Sequence, residues 1–408
     1  MWTGISDAVA RRKPRRGSAP RPRRTIGGMP GLLPLTCAVV LVDTIFFTAL
    51  TPLLPGYAAS LGLSKADAGL LAGAFATGVL VAAVPSGALV TAIGARATVW
   101  LGLGLTAVTT LAFGLGTTWP ALYAARFAGG LGSACSWTAA VSWLTADAPD
   151  RRRGELIGLA VSAAVVGSLV GPLVGSAAAW LGPIKAFGGL TLVCLGLMGW
   201  VALTPPRVAP APRPLGERLV MLLRPELAAP VALVVLPPLM FGVFGVLVPL
   251  ALSGRGWGPT AIAGLWVMIA IVEAVVHPLV GRWADRRGWA EPVGAGLAGS
   301  VLGLGLLAVT GASPALAASA FVAAVAFGAT LVPGMTRLSR IGDEIGLDPA
   351  WSFGLSNFAW ALGHAAGGPL GGTLASAAGD RTAYVVLAAV CAGALALTGR
   401  LLQLAGRV

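Results

Sequence analysis

Apolar runs of about twenty residues or more recur along this whole chain, and nothing else in it restricts the fold as much. Twelve are read, near 31–57, 66–91, 96–117, 120–146, 154–180, 184–204, 228–252, 260–283, 291–311, 314–336, 351–377 and 381–404. The sequence is 56% hydrophobic and 11% charged, whereas an ordinary soluble domain is about a quarter charged. A 408-residue soluble core is therefore excluded. Each run far exceeds the roughly ten alternating residues of a membrane β-strand, which leaves helices. In lipid a lone segment satisfies its own backbone groups only as a helix.

Net charge is +13, but its placement points to topology rather than to nucleic acid. With the N-terminus cytoplasmic, the inside takes 23 Lys and Arg, among them Arg11 to Arg24, Arg151 to Arg153 and Arg282 to Arg287. The outside takes four, Lys65, Lys185, Arg255 and Arg381, and Arg126 falls within helix 4. Every helix then obeys the positive-inside rule, with both termini cytoplasmic. Residues 1–28 read as a disordered basic tail on a retained first helix. The four cysteines sit singly in apolar runs, a pattern of neither a disulfide framework nor a zinc site. No metal or cofactor is expected. Arginine outnumbers lysine and Ala and Gly dominate, as in a bacterium with a GC-rich genome. A multi-pass cell-membrane protein, acting as a monomer, is the expectation.

The chain also repeats itself. Gly167-Ser-Leu-Val-Gly171-Pro172-Leu-Val-Gly175 aligns on its proline with His364-Ala-Ala-Gly-Gly368-Pro369-Leu-Gly-Gly372, 197 residues later. Proline deletes a helix hydrogen bond and predicts a kink, while glycines let a neighbouring backbone approach. Pro52 matches Pro249, and Gly87 to Gly94 matches Gly281 to Gly288, at nearly the same offset. Three correspondences in register predict parallel six-helix repeats, related by an axis along the membrane normal. The proline-rich stretch at 205–214 cannot be helical and reads as a linker. The expected organisation is an N-terminal bundle over 29–204, a cytoplasmic linker over 205–227 and a C-terminal bundle over 228–408.

Four motifs give the chain its resemblance to the major facilitator superfamily. Gly281-Arg-Trp-Ala-Asp285-Arg286-Arg287-Gly288 is a good copy of the family's G-x-x-x-D-R-x-G loop, and Gly87 to Gly94 is a degraded one with Thr91 in place of Asp. Arg126 and Gly130 resemble its R-x-x-x-G pattern in helix 4. Gly167 to Gly175, preceded by Asp150-Arg-Arg-Arg-Gly154, resembles the antiporter motif of helix 5. Asp43 to Pro55 resembles the first helix of the drug:proton antiporter branch, which includes vesicular amine carriers. The resemblance implies twelve helices in two pseudo-symmetric bundles, transport by alternating access, and a latch between the bundles at Asp285. It also makes helices 1 and 4 neighbours, so that Asp43 and Arg126 pair directly or through water.

An ionisable group deep in a bilayer costs a few kcal/mol or more and is by default a functional hypothesis. Asp43, Arg126, Glu273, His277 and His364 are the candidates here, with Asn357 as a polar companion. The competing reading of the Asp43–Arg126 pair is a structural ion pair that sets helix register. Glu273 and His277 are four apart and share a helix face, as a proton relay, a cation site or a self-neutralising pair. Asn357 and His364, seven apart, share another face. Phe46, Phe47, Trp137, Trp266 and Trp360 can line a cavity for an amphipathic or cationic ligand, or simply pack. The expected function is proton-coupled export of such a compound; symport of a sugar or other metabolite is the alternative. A non-transporting membrane sensor or an intramembrane enzyme is the remote alternative; the enzyme is disfavoured because Gly354-Leu-Ser356-Asn lacks the frame of a nucleophile elbow.

Overall fold

The computed structural model describes residues 31–146, 150–206, 221–347 and 349–405. Thirteen α-helices run through them. Those of the first half are α1 Leu32–Thr48, α2 Leu54–Leu61, α3 Lys65–Ile93, α4 Ala95–Leu115, α5 Trp119–Thr145, α6 Asp150–Leu181 and α7 Pro183–Leu203. The second half contains α8 Ala228–Ser253, α9 Pro259–Arg287, α10 Ala290–Val309, α11 Ser313–Glu344, α12 Pro349–Ala378 and α13 Asp380–Ala405. Helices α1 and α2 together make the first crossing, so thirteen helices give twelve spans in two six-span halves. The basic tail at 1–28 and linker residues 207–220 lie outside the described residues.

Local sequence sets the helix ends. Ser64 caps α3 through a reciprocal box, its Oγ accepting from Asp67 N–H while Asp67 Oδ2 accepts from Ser64 N–H, both at 3.1 Å. Proline occupies the first turn of α5, α7, α9 and α11, where its missing N–H costs nothing. Gly94 and Gly288 close the two copies of the repeated loop motif with φ of +87° and +84°. A side chain there would be strained, so this turn repeats in conformation as well as in sequence. The second motif is not a loop throughout: Gly281, Asp285 and Arg286 lie on the last turns of α9.

The proline–glycine segments behave differently from the expectation. Pro172 and Pro369 both lie inside unbroken helices. What the glycines do is admit a neighbouring backbone. Built Cβ atoms at Gly167, Gly171 and Gly175 would press on Leu41–Thr44, Ile45–Thr48 and Ala49–Pro52 of the first span. In the second half the equivalent row is Gly363, Gly367 and Gly371, which seats Val235–Pro238, Leu239–Gly242 and Val243 of α8. The packing repeat is thus one residue out of register with the proline alignment. Gly167 corresponds in packing to Gly363, not to His364. The next residues along α12 face the other half: Gly368 lies against Gly69, Pro369 against Gly73 and Gly372 against Lys65.

Hydrogen bonds between the halves occur at the outer ends. Lys65 Nζ pairs with Asp380, and Ala66 N–H donates to Ser376 Oγ at 3.1 Å. Opposite, Trp180 Nε1 donates to Thr260 Oγ1 at 2.9 Å, and Ser176 Oγ lies 3.1 Å from the same hydroxyl. With α3 pressed on α12 and α6 against α9, the two halves are joined at their outer ends.

Candidate functional site

Among the described residues, the one real break in a span is in the first. Pro52 has no N–H for Thr48 O, Thr51 N–H turns back to Thr48 O at 3.3 Å, and α2 restarts at Leu54. A helix end leaves its last carbonyls without partners. Arg126 of α5 supplies the donors. Its Nη1 donates to Phe46 O at 2.5 Å and its Nη2 to Phe47 O at 2.9 Å. The guanidinium also lies 5.0 to 6.0 Å from the ring centroids of Phe75, Phe46, Phe47 and Phe113. A cation buried to 1% exposure is thus held by the negative end of a helix and by four ring faces.

Asp43 sits one turn earlier on α1 and turns into the first half, at 2% exposure. Ser136 Oγ of α5 donates to its Oδ2 at 2.6 Å, while Oδ1 is buried without a partner. The side chains of Ser133 and Thr106 face it as well. Asp43 and Arg126 form no ion pair. The direct form of the expected pairing is therefore absent: two guanidinium nitrogens go to the carbonyls of Phe46 and Phe47, and the carboxyl meets hydroxyls on α4 and α5, while Arg126 Nε and Asp43 Oδ1 are both buried without a partner. Ser133 and Ser136 follow Arg126 at seven and ten residues, on its own helix face. That spacing is the signal by which they were findable.

Of the expected cavity residues, Asp43 and Phe46 do not face the space between the halves. They are three apart and share the inward face of α1. Phe46 is fully buried against Phe75, Phe113 and Phe187, at centroid distances of 5.9 to 6.2 Å. Trp137 packs with Val40, Val141 and Ile157 inside the first half. Trp266 packs on Phe244, 5.3 Å away, inside the second. Phe47 is the residue that crosses. Its ring is 5.2 Å from Trp360 and 5.3 Å from His364, and those two rings are 4.4 Å apart. His364 Nδ1 lies 3.3 Å from Trp360 O, one helical turn back. Asn357, on the same face of α12, is half-buried.

Glu273 and His277 of α9 converge on α11. A Cβ at Gly328 would overlap Glu273 Oε1 and come within 3.0 Å of His277 Nε2. Both polar atoms are buried without a well-formed hydrogen bond, the Gly328 backbone facing the imidazole, and no ion pair joins them. Sequence reasoning placed the two on one face but had no means of finding Gly328. At the cytoplasmic end, Asp285 accepts from Arg340 of α11 at 3.4 Å. The residue expected to latch the two halves thus engages a partner within its own half. Of the remaining motif positions, a Cβ at Gly87 would meet open space.

Comparison with known proteins places these features. The family model of the Major Facilitator Superfamily matches residues 36–347. A chloramphenicol resistance protein of Streptomyces lividans is 28% identical over 266 residues, which are 62% of this chain and 66% of that protein. The chain therefore spans just under two thirds of that relative's length. A bacterial homologue of the human lysosomal transporter Spinster, solved inward-facing and unoccupied, superposes with a TM-score of 0.72 at 16% identity, covering 90% of this chain and 96% of that one. A D-xylose–proton symporter gives a TM-score of 0.73 at 16% identity over 90% and 96%. Both show likeness of fold.

Proposed function

The chain belongs to the major facilitator superfamily of membrane transporters, and from that premise we propose that it exports a small amphipathic compound in exchange for protons. The observation that carries this reading is Asp43. A carboxyl at mid-membrane with a serine hydroxyl against one oxygen, and no cation against either, is a natural carrier of a single proton. Arg126, which the resemblance suggested as its partner, instead holds the broken end of α1. Proton uptake by Asp43 then acts on the same helix whose next turn presents Phe47 to Trp360 and His364 of the other half. That continuity is a physical route from protonation to rocking of residues 29–204 against 228–408.

The substrate class rests on the rings. Phe47, Trp360 and His364 meet where the halves touch, and their faces suit a flat apolar ligand more than a sugar, which asks for many hydrogen-bonding groups. The relative named for chloramphenicol resistance supports the same class and makes chloramphenicol the first compound to try. The residues of the second half expected to take part, Glu273, His277 and Asn357, lie on α9 and α12. The location proposed is the plasma membrane of a bacterium.

Efflux of radiolabelled chloramphenicol in inverted vesicles under an imposed pH gradient tests the proposal. Accumulation driven by an acidic lumen is expected, with Asp43→Asn abolishing its dependence on the gradient. Unchanged gradient dependence in Asp43→Asn would overturn the coupling role. Accumulation running with the proton rather than against it would reassign the protein to symport.

A further inference from the structure

The polar groups of the second half form a site of their own. Glu273 Oε1 and His277 Nε2 lie one helical turn apart on α9 and aim at one spot on α11, the bare Cα of Gly328. Neither atom makes a well-formed hydrogen bond within the protein, although the Gly328 backbone faces the imidazole, and each is fully withdrawn from the surface. A buried polar atom left unpaired costs about 1–3 kcal/mol. Two of them aimed at one spot, too far apart to bond each other, are satisfied together by one bridging group. Gly328 is what makes the room, since any side chain there would collide with the carboxyl. Elsewhere on α9, Asp285 engages Arg340, and Glu291 of α10 engages Arg287. Among the described residues, the α8 segment carries no charged side chain and no charged group from α6, α10 or α11 is placed against the pair.

We propose that Glu273 and His277 share one exchangeable proton through a single bridging water beside Gly328, as a second protonation site of the transporter. In one form the carboxylic acid donates to the water and the water to the neutral imidazole. Transfer along that line gives carboxylate and imidazolium with no change in net charge. Release of the same proton to the space between the halves leaves carboxylate and neutral imidazole. Sodium is the other small cation that could bridge two such groups. It prefers oxygen ligands, as hard cations do, and an imidazole nitrogen suits a proton better. The site rests on the transporter reading for its purpose, but its existence is testable without any substrate.

Dicyclohexylcarbodiimide adds to protonated carboxyls in apolar surroundings, and peptide mass spectrometry separates adducts on Glu273 from adducts on Asp43. In the purified full-length protein, labelling of Glu273 is expected to fall as pH rises. In His277→Gln the fall is expected to move upward by at least about one pH unit, because the imidazolium no longer favours the carboxylate. The Asp43 profile serves as the internal reference and stays in place. Gly328→Ala, which fills the space under the carboxyl, is expected to move the Glu273 profile as well, and it tests the site should His277→Gln not fold. A Glu273 profile indifferent to both substitutions overturns the shared proton, as does an absence of Glu273 adduct at every pH. Protection by sodium chloride but not by choline chloride reassigns the site to sodium and overturns the proposal too. None of these outcomes depends on whether chloramphenicol is carried.

Discussion

The two halves of this transporter share their packing and differ in their chemistry. Each seats its first span in a row of glycines four apart on its fifth, Gly167, Gly171 and Gly175 in one and Gly363, Gly367 and Gly371 in the other. Each also contains a matching proline, yet only one of the two spans breaks. Helix α8 runs through Pro249, whereas the first span stops at Thr48 and resumes at Leu54. Arg126 then supplies the donors that the helix no longer has. The difference teaches that backbone contact preserves the repeat, while the sites where charge is held need not be copied. In the first half a lone carboxyl and a capping guanidinium occupy separate places; in the second a carboxyl and an imidazole share one.

Removing Arg126 is the most severe way to test this contrast. Arg126→Ala leaves the carbonyls of Phe46 and Phe47 without donors and vacates the centre of four rings. The expected cost is about 3–5 kcal/mol, from two unsatisfied groups and lost packing. Arg126→Lys keeps the charge but cannot span two carbonyls with a planar fork, and should recover about half of that. Chemical unfolding in detergent reads both. If Lys matches Arg, the guanidinium acts as a charge and not as a cap, and the account of the break in α1 is wrong.

The glycine rows should respond alike, because packing is what the halves have in common. A Cβ at Gly171 would overlap Thr48 Oγ1, and one at Gly367 would overlap Leu239 O. Gly171→Ala and Gly367→Ala are each expected to cost about 1–3 kcal/mol by forcing helices apart. Gly87→Ala, on the same type of helix but facing open space, should be neutral or stabilise by up to about 1 kcal/mol through helix propensity. A large loss at Gly171 without one at Gly367 would break the equivalence of the two rows.

Much of this was legible in the sequence, and the part that was not has a common cause. Run lengths and charge placement yielded the spans and their orientation, because bilayer thickness and the positive-inside rule act on local composition. The repeat was visible too, but aligning on Pro172 and Pro369 slipped it by one residue. Packing follows the glycines that touch a neighbour, and neither proline breaks its helix. Asp43, Arg126, Glu273 and His277 were singled out for the cost of burying them. Their partners were not, because spacing along one helix says which residues share a face and not which helix that face meets. Hence a Ser136 contact and a helix cap stand where a direct Asp43–Arg126 pair was one expectation, and Gly328 went unnoticed until the structure placed it under Glu273.

The outer seams offer the mildest test, and they too are unequal copies. The start of α3 meets α12 and α13 through a charge pair, Lys65 with Asp380, while the start of α9 meets α6 through hydroxyls and an indole at Thr260. The charged pair is 38% and 29% exposed, and an ion pair so open to solvent contributes about 0–1 kcal/mol. Asp380→Asn should therefore shift the balance toward an outward-open form by less than about fivefold. Spin labels on the exposed outer positions Ser60 and Gly311 would report it as a longer distance gaining population. Thr260→Val, which removes both hydrogen bonds of the other seam, should produce a shift of similar size. Salt separates them. Raising ionic strength to 1 M, where screening acts within about 3 Å, should carry the wild type toward the Asp380→Asn distribution and leave the effect of Thr260→Val unchanged. If both variants respond to salt in the same way, the seams are not chemically distinct and the contrast between the halves stops at the membrane interior.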